Sequence, residues 1–486
     1  MKRQLRVGLF GIGLDTYWPQ FKGLKPRLEG YVRTVQKKLE RPGVEVVNLG
    51  LIDNPKKALE AGHKFREADV DVIFLHVTTY ALSSTVLPVV QRAKVPVIIL
   101  NLAPAAAIDY AKFNAMGDPS SVAALRRVDR IAMTGDWLAH CAACPVPEIA
   151  NVFSRARIDF HQVTGMLQDD PVCWNEVDAW IEAARVAHTM FHNRLGLMGH
   201  YYGGMLDIYS DTTLQCATFG GHLEILEVDE LAALRRDVST KQIKERVAKF
   251  KKVFAVQSDC SQAELERAAK TSVALDRLVK EHDLGSLAYF YSGTGNAENE
   301  DAISSIILGN SLLTARGIPV AGEYEVKNAQ AMKIMDTFGV GGSFTEYYAM
   351  DFADDVVLMG HDGPGHIAIA EGKTKVRPLK VFHGKVGRGL SVEMCVKHGV
   401  VTLLSVVETA GGKLKLLVAE GESVPGPILE IGNTNSRYRF SLGARKFVND
   451  WNAHGPAHHC AVGVGHIADK IDKLGKLLGV EVARVC

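Results

Sequence analysis

The chain reads as an α/β protein in three parts: two parallel-sheet α/β domains followed by an antiparallel β-rich C-terminal domain. Three observations predict this. Continuous apolar runs alternate with amphipathic helical segments over the first hundred residues. The same alternation restarts at Arg194-Leu-Gly-Leu-Met-Gly, after a long helical connector. Beyond Gly339-Val-Gly-Gly the pattern changes to short strands punctuated by glycine turns. Apolar strands between helices imply a parallel sheet covered on both faces, and evenly spaced short strands imply an antiparallel one.

Taken in order, Val7 to Gly13 predicts a buried strand, Phe21 to Glu40 an amphipathic helix, and Val44 to Ile52 a second strand. Lys56 to Ala68 is helical, Val70 to Val77 a strand, and a further helix precedes the strand Val95 to Leu102. Asn175 to Asn193 is the connector helix. In the second part, Leu223 to Val228, Leu287 to Tyr291 and Ile318 to Ala321 predict strands. Thr240 to Phe250, Gln262 to Lys280 and Ala302 to Ala315 predict helices, the first two with charges on one face. In the last part, Val356 to Met359, Leu379 to His383, Val400 to Glu408 and Lys413 to Ala419 predict strands, and His466 to Leu478 a terminal helix. The expected domains are residues 1–193 and 194–343, both Rossmann-like in their alternation, and the β-rich 344–486. A chain of 486 residues exceeds what one core supports.

Composition excludes several classes. Net charge is +1, with 47% hydrophobic and 23% charged residues, which gives no electrostatic case for nucleic acid or an anionic membrane. No apolar run reaches membrane-spanning length, and Met-Lys-Arg-Gln-Leu-Arg leads into a strand without a cleavage site. Eight scattered cysteines suit a cytoplasmic protein with reduced thiols. Cys141 and Cys144 form a C-x-x-C preceded by His140, but Pro145 stands where haem attachment needs histidine, and no second ligand pair lies nearby for zinc. Packed thiols are the expectation there. Gly8, Gly11 and Gly13 run G-x-x-G-x-G and lead into Leu14-Asp15-Thr16-Tyr17-Trp18-Pro19, so a dinucleotide cradle is missing and a tight turn is expected.

The chemistry-bearing residues lie late. Glu323 follows a predicted strand end, Glu346 lies in Ser-Phe-Thr-Glu-Tyr, His361 in Leu-Met-Gly-His, and His458-His459 in Gly-Pro-Ala-His-His. Ionised carboxylates are oxygen acceptors that suit a hard cation, and imidazole favours Mn²⁺ over Mg²⁺ or Ca²⁺. Two carboxylates and two imidazoles leave an octahedral ion two positions for adjacent sugar oxygens. Such an ion polarises a carbonyl, and a neighbouring carboxylate can move a proton between carbons, which describes aldose–ketose isomerisation. The competing view is an ordinary ion-paired surface, since Glu325 and Lys327 follow Glu323 closely.

Four motifs resemble those of L-arabinose isomerases, in the wider L-arabinose/L-fucose isomerase superfamily. Ala321-Gly-Glu-Tyr-Glu-Val-Lys-Asn-Ala resembles Ala-Gly-Glu-x-Asp-Trp-Lys-x-Ala, and Gly342-Ser-Phe-Thr-Glu-Tyr resembles Thr-Ser-Phe-Met-Glu-Asp-Tyr. Leu358-Met-Gly-His resembles Leu-Gly-Ala-His, and Gly455-Pro-Ala-His-His resembles Gly-Gly-Ala-His-His. The resemblance implies that Glu323, Glu346, His361 and His459 hold Mn²⁺, and that Glu323 and Glu346 also act as the acid/base pair. It implies substrate contacts at Asp15, where the family carries Gln, and at Tyr80 and Met205. It implies that His140 is donated to a neighbouring subunit's site in a homo-oligomer, hexamer or tetramer. The other histidines, His366 and His454 among them, become supporting residues.

The resulting expectation is a Mn²⁺-dependent isomerase of L-arabinose and L-ribulose acting through a cis-enediol. The alternatives are an L-fucose/D-arabinose-type isomerase of the same architecture, a non-catalytic sugar-binding protein, and a metal-dependent hydrolase.

Overall fold

A computed structural model describes residues 4–116, 127–293, 295–379 and 388–486, with the side chains of 127–129 excepted. The chain divides into two compact units, Met1–Ala184 and Arg185–Cys486. The division falls inside the helix Pro171–Phe191.

The first unit holds five parallel strands in the order Val44–Ile52, Leu5–Ile12, Val72–His76, Val97–Ala103, Phe160–Met166. This is a doubly wound order with its switch point between the first and third strands of the chain. Helix Leu24–Leu39 buries Leu24, Leu28, Val32, Val35 and Leu39, one stripe at helical spacing. Helices Pro55–Glu67, Leu87–Ala93 and Val146–Arg155 contribute Phe65, Val89, Val90, Ile149 and Phe153 to a core with Phe10, Ile73, Leu75 and Ile99. Gly8 and Gly11 serve this packing rather than a turn, whereas Gly13 follows the strand end. A Cβ on Gly11 would lie 2.5 Å from Val32 and one on Gly8 2.9 Å from both Ile73 and Phe65, and both glycines lie within the strand Leu5–Ile12. The strand Phe160–Met166 and helix Val146–Arg155 were not foreseen.

His76 is buried at the carboxyl end of its strand, and burial pushes its imidazole down to about 3. The unfolded chain binds this proton near pH ~6.5. Below that pH the unfolded state holds a proton the folded state refuses, so stability falls as pH drops from there towards 3. The loss is about 1.4 kcal/mol per pH unit. His76→Leu should flatten the fall in unfolding free energy, measured by urea titration, between about pH 6.5 and pH 5 by roughly 2 kcal/mol. Equal slopes in variant and wild type would refute this.

The second unit opens with another parallel sheet, ordered Val320–Ala321, Ser286–Phe290, Arg194–Gly199, His222–Leu226. Its core joins Leu231, Phe250, Leu275 and Leu287 from the sheet and the helices Val228–Arg236, Thr240–Val253 and Gln262–Glu281. Ser239 and Gln242 form a reciprocal cap at the start of Thr240–Val253. The single helix expected over 302–315 is two, Ala297–Ile303 and Ile307–Thr314. The strand expected over Leu223 to Val228 ends at Leu226, and Val228 starts a helix.

The same unit carries a closed antiparallel ring. Its strands run in the order Gly399–Glu408, His459–Val464, Ser343–Asp351, Val356–His361, Thr434–Phe440 and Leu414–Val424, and the last pairs back to the first. Glu481–Arg484 adds in parallel to Leu414–Val424. Closure removes exposed sheet edges from the ring. Helix Val326–Thr337 packs against strands of both sheets and is buried from Val326 through Met335. The strand expected over Leu379 to His383 falls largely outside the described residues, and a short strand Lys375–Pro378 precedes it. Among the described residues no helix is long and apolar enough to cross a membrane.

Candidate metal and sugar site

Strand register in the ring assembles most of the site. Glu346 pairs directly with His459 on one side and with Gly360 on the other, and His361 follows Gly360. Side chains alternate along a strand. Tyr347 and Cys460 therefore enter the ring's core, while Glu346 and His459 face the opposite side. Phe344, two residues before Glu346, lies beneath both imidazoles, with ring centroids 4.4 Å from His361 and 4.3 Å from His459. Gly360 is obligatory here. A Cβ would stand 2.0 Å from the carbonyl oxygen of Thr434 and 2.7 Å from the Cα of Asn435, both backbone atoms of the adjoining strand. Gly360→Ala should cost roughly 1–3 kcal/mol of stability through overpacking and displace His361. An unchanged unfolding midpoint would contradict that placement.

Glu323 arrives from the parallel sheet, two residues beyond the strand Val320–Ala321. It and Tyr324 both adopt left-handed backbone, at φ 57° and 62°. Such strain in non-glycine residues persists only where surroundings enforce it. Here Tyr324 N–H donates to Tyr289 O at 3.0 Å, Glu325 N–H to Gly322 O at 3.0 Å, and Tyr202 N–H to Glu323 O at 3.4 Å. The consequence is a carboxylate aimed at the histidines: Oε1 lies 3.7 Å from His361 Nε2, and Oε2 lies 3.4 Å from His459 Nε2 and 3.8 Å from His458 Nε2. His458 Nε2 is also 3.8 Å from Glu346 Oε2.

Glu323, Glu346, His361 and His459 are thus brought together, and His458 joins them. Donor atoms of Glu346, His361 and His459 lie within 4.8 Å of one another, as do those of Glu323, His458 and His459. Oxygen and imidazole donors at this spacing fit a divalent ion of the Mn²⁺ type. His459 is 1% exposed, and burial first, then the neighbouring His361, His458 and Lys327, pushes its imidazole well below the usual range. It is therefore a neutral donor, as metal ligation requires. Beside Glu346 and His458 opens a cavity of about 350 Å³, walled by Asp207, Trp451, Asn452 and Ala457. That volume lies in the ~300–1,000 Å³ range of small-molecule sites.

Two further groups belong to the site. Glu325 and Lys327 are not surface residues: both are buried, Glu325 completely. Burial pushes the Glu325 carboxyl up to about 8 against the opposing pull of Lys327. Asp207 accepts hydrogen bonds from the backbone N–H of His458 and faces its Nδ1 at 2.6 Å. Burial raises the Asp207 carboxyl, but the His458 hydrogen bonds outweigh this and hold it below the usual range. Met205 is half-buried two residues before Asp207.

The other expected contacts belong to the first unit. Asp15 starts a single turn after the strand Leu5–Ile12, and Tyr80 follows Val72–His76, so both sit at carboxyl ends of the sheet. The Tyr17 hydroxyl is pushed up by burial and by nearby Cys141, Tyr80 and Cys144. His140 Nδ1 lies 2.9 Å from Asp136 O. Cys144 is exposed and Cys141 half-buried, so packing does not account for the C-x-x-C as expected. His366 is buried 3.8 Å from Asp336, and His454 ends the helix Gly443–Ala453.

Three solved structures share little with the chain. A periplasmic solute-binding protein of an ABC transporter from Actinobacillus succinogenes 130z, with bound D-allose, is 9% identical over 65% of this chain and 83% of its own, at a TM-score of 0.16. A solute-binding protein from Agrobacterium vitis, bound with α-D-tagatopyranose, is 13% identical over 66% and 93%, at 0.13. A Salmonella D-lactate dehydrogenase is 12% identical over 69% and 95%, at 0.11. Similarity at this level carries no argument. No curated protein matches the chain. The model of the L-arabinose isomerase C-terminal domain matches residues 341–481, a span that contains Glu346, His361, His458 and His459. Residues 341–481 therefore resemble the C-terminal domain of L-arabinose isomerases, in agreement with the three motif resemblances that fall in that span, and this supports a sugar isomerase.

Proposed function

We propose that the chain is a Mn²⁺-dependent aldose–ketose isomerase interconverting L-arabinose and L-ribulose. One observation carries this: Glu323, from the parallel sheet, and Glu346, His361 and His459, from the ring, converge beside a sugar-sized cavity. When bound, a divalent ion at these residues polarises the carbonyl and favours the negative charge that develops on adjacent sugar oxygens. The rest is the work of side chains. His458 Nε2 is 3.8 Å from an oxygen of Glu323 and 3.8 Å from one of Glu346, a closeness that supports two carboxylates acting on neighbouring carbons. One takes the proton from C2 of the open-chain aldose while the other moves a proton between the oxygens. The cis-enediol then accepts a proton at C1 to give the ketose. Trp451 and Ala457 wall the cavity in which the sugar would lie. Asp15, Tyr80, His140 and Met205 are the proposed contacts to the remaining hydroxyls, with His140 acting across a subunit interface of a homo-oligomer.

Ketose formation from L-arabinose, D-galactose, L-fucose and D-arabinose with added Mn²⁺ tests the assignment. The highest kcat/KM should fall on L-arabinose. Preference for L-fucose or D-arabinose would move the chain to the alternative branch, and no ketose from any of the four would sink the isomerase.

A further inference from the structure

Cys141 and Cys144 take no part in the chemistry proposed above, and packing does not explain them. They lie on the connection between helices Arg127–Leu138 and Val146–Arg155 of the first unit. That connection is held firmly. Ala139, Ala142 and Val146 are buried, the last two in the core beside Ile149 and Phe153. Thr79 Oγ1 donates to Leu138 O at 2.7 Å. Cys141 N–H donates to Leu138 O at 3.2 Å and Val146 N–H to Ala143 O at 3.3 Å, so one turn closes at Cys141 and the next spans Cys144. The two thiols meet in a hydrogen bond. Beside them stand the hydroxyls of Tyr17 and Tyr80, at the carboxyl ends of the sheet.

Other cysteines of the chain are packed thiols. Cys260, Cys395 and Cys486 donate to backbone carbonyls at 3.2, 3.4 and 3.4 Å, and Cys173 and Cys460 are buried. Paired thiols serve either a soft metal or a disulfide. Among the described residues the pair forms no three-donor group with a histidine or carboxylate. Two sulfurs alone leave a tetrahedral zinc half-coordinated. A disulfide needs only the pair, and where thiols are otherwise kept reduced such bonds are transient and redox-sensing.

Access divides the roles. Cys144 is exposed, whereas burial, and then the neighbouring Cys144, pushes the half-buried Cys141 thiol up to about 11. The thiolate is the attacking species, so the exposed Cys144 reacts first.

We propose that Cys141 and Cys144 form a reversible redox site that exchanges with small external disulfides of the glutathione type. The Cys144 sulfur attacks one sulfur of the external disulfide, whose S–S bond breaks and releases one thiol. The Cys141 sulfur then attacks Cys144 in the mixed disulfide, and the second thiol leaves. The two cysteine protons end on the two released thiols, and the two electrons lost by the pair reduce the external disulfide. Once Cys144 is in the mixed disulfide it no longer opposes ionisation of Cys141, and closure is intramolecular. No sugar takes part, so the site is independent of the isomerase reading.

The test treats the full chain under native conditions with excess oxidised glutathione, alkylates the remaining thiols and weighs the tryptic peptides. Cys141 and Cys144 share the peptide Ile131–Arg155, which holds no other cysteine. In the wild type this peptide should lose two hydrogens and escape alkylation, and dithiothreitol should reverse both changes. Cys141→Ser should stop at a glutathione adduct on Cys144. Cys144→Ser should form an adduct on Cys141 at least ~10-fold more slowly. A wild-type peptide that stays reduced, or that stops at the glutathione adduct, overturns the proposal, as do adducts formed equally fast in the two variants. If a serine variant does not fold, the wild-type peptide still decides.

Discussion

Glu323→Gln should lower ketose formation by roughly 10²–10⁴-fold, the usual share of a general acid/base, with the fold intact. Glutamine keeps the shape and one acceptor oxygen but cannot take a proton from carbon. The backbone around residue 323 is held by hydrogen bonds from Tyr324, Glu325 and Tyr202 that the side chain does not make, so the left-handed step survives the exchange. Glu323 also faces His361, His458 and His459, and its charge would help retain the ion. Rates are therefore best compared at saturating Mn²⁺, where weakened metal uptake no longer contributes. Glu346→Gln should behave alike, because a Glu346 oxygen lies as close to His458 Nε2, at 3.8 Å, as a Glu323 oxygen does. A rate within about threefold of wild type in either variant removes that carboxylate from the proton transfer, since even modest acid/base roles are worth ~10²-fold.

Stripping the ion should abolish turnover and also lower stability. Chelation leaves the carboxylates and imidazoles converged with no cation among them, and restored Mn²⁺ should return the activity. An ion that binds the folded chain and not the unfolded one would add about 2.7 kcal/mol at a concentration one hundred times its dissociation constant. The unfolding midpoint should rise with Mn²⁺ in wild type and much less in a His459→Ala variant. Unchanged rate and midpoint after chelation would rule out metal dependence.

Much of this site is written locally. Gly-Glu, Phe-Thr-Glu, Gly-His and His-His each announce one donor, and their order along the chain points to one chemistry. The parallel sheets are equally legible, because strands covered on both faces must be continuously apolar and the helices between them must be striped. The helix Val326–Thr337 is illegible for the opposite reason. It is buried on every side, with Lys327, Asn328, Gln330 and Lys333 inside, so it has no polar face to set a period. Glu325 and Lys327 look like surface charges for the same reason. Asp207 carries no signal at all, since its partner lies 251 positions away.

The residue types that can bind an ion and move a proton, and the elements that carry them, follow from the sequence, because periodicity and side-chain chemistry are local properties. Convergence is not local. It takes the register that sets Glu346 against His459, the missing Cβ at Gly360, and the left-handed backbone that turns Glu323 back towards the ring. Burial then decides which charges are solvated and which are fixed behind an imidazole, and burial belongs to the folded chain alone.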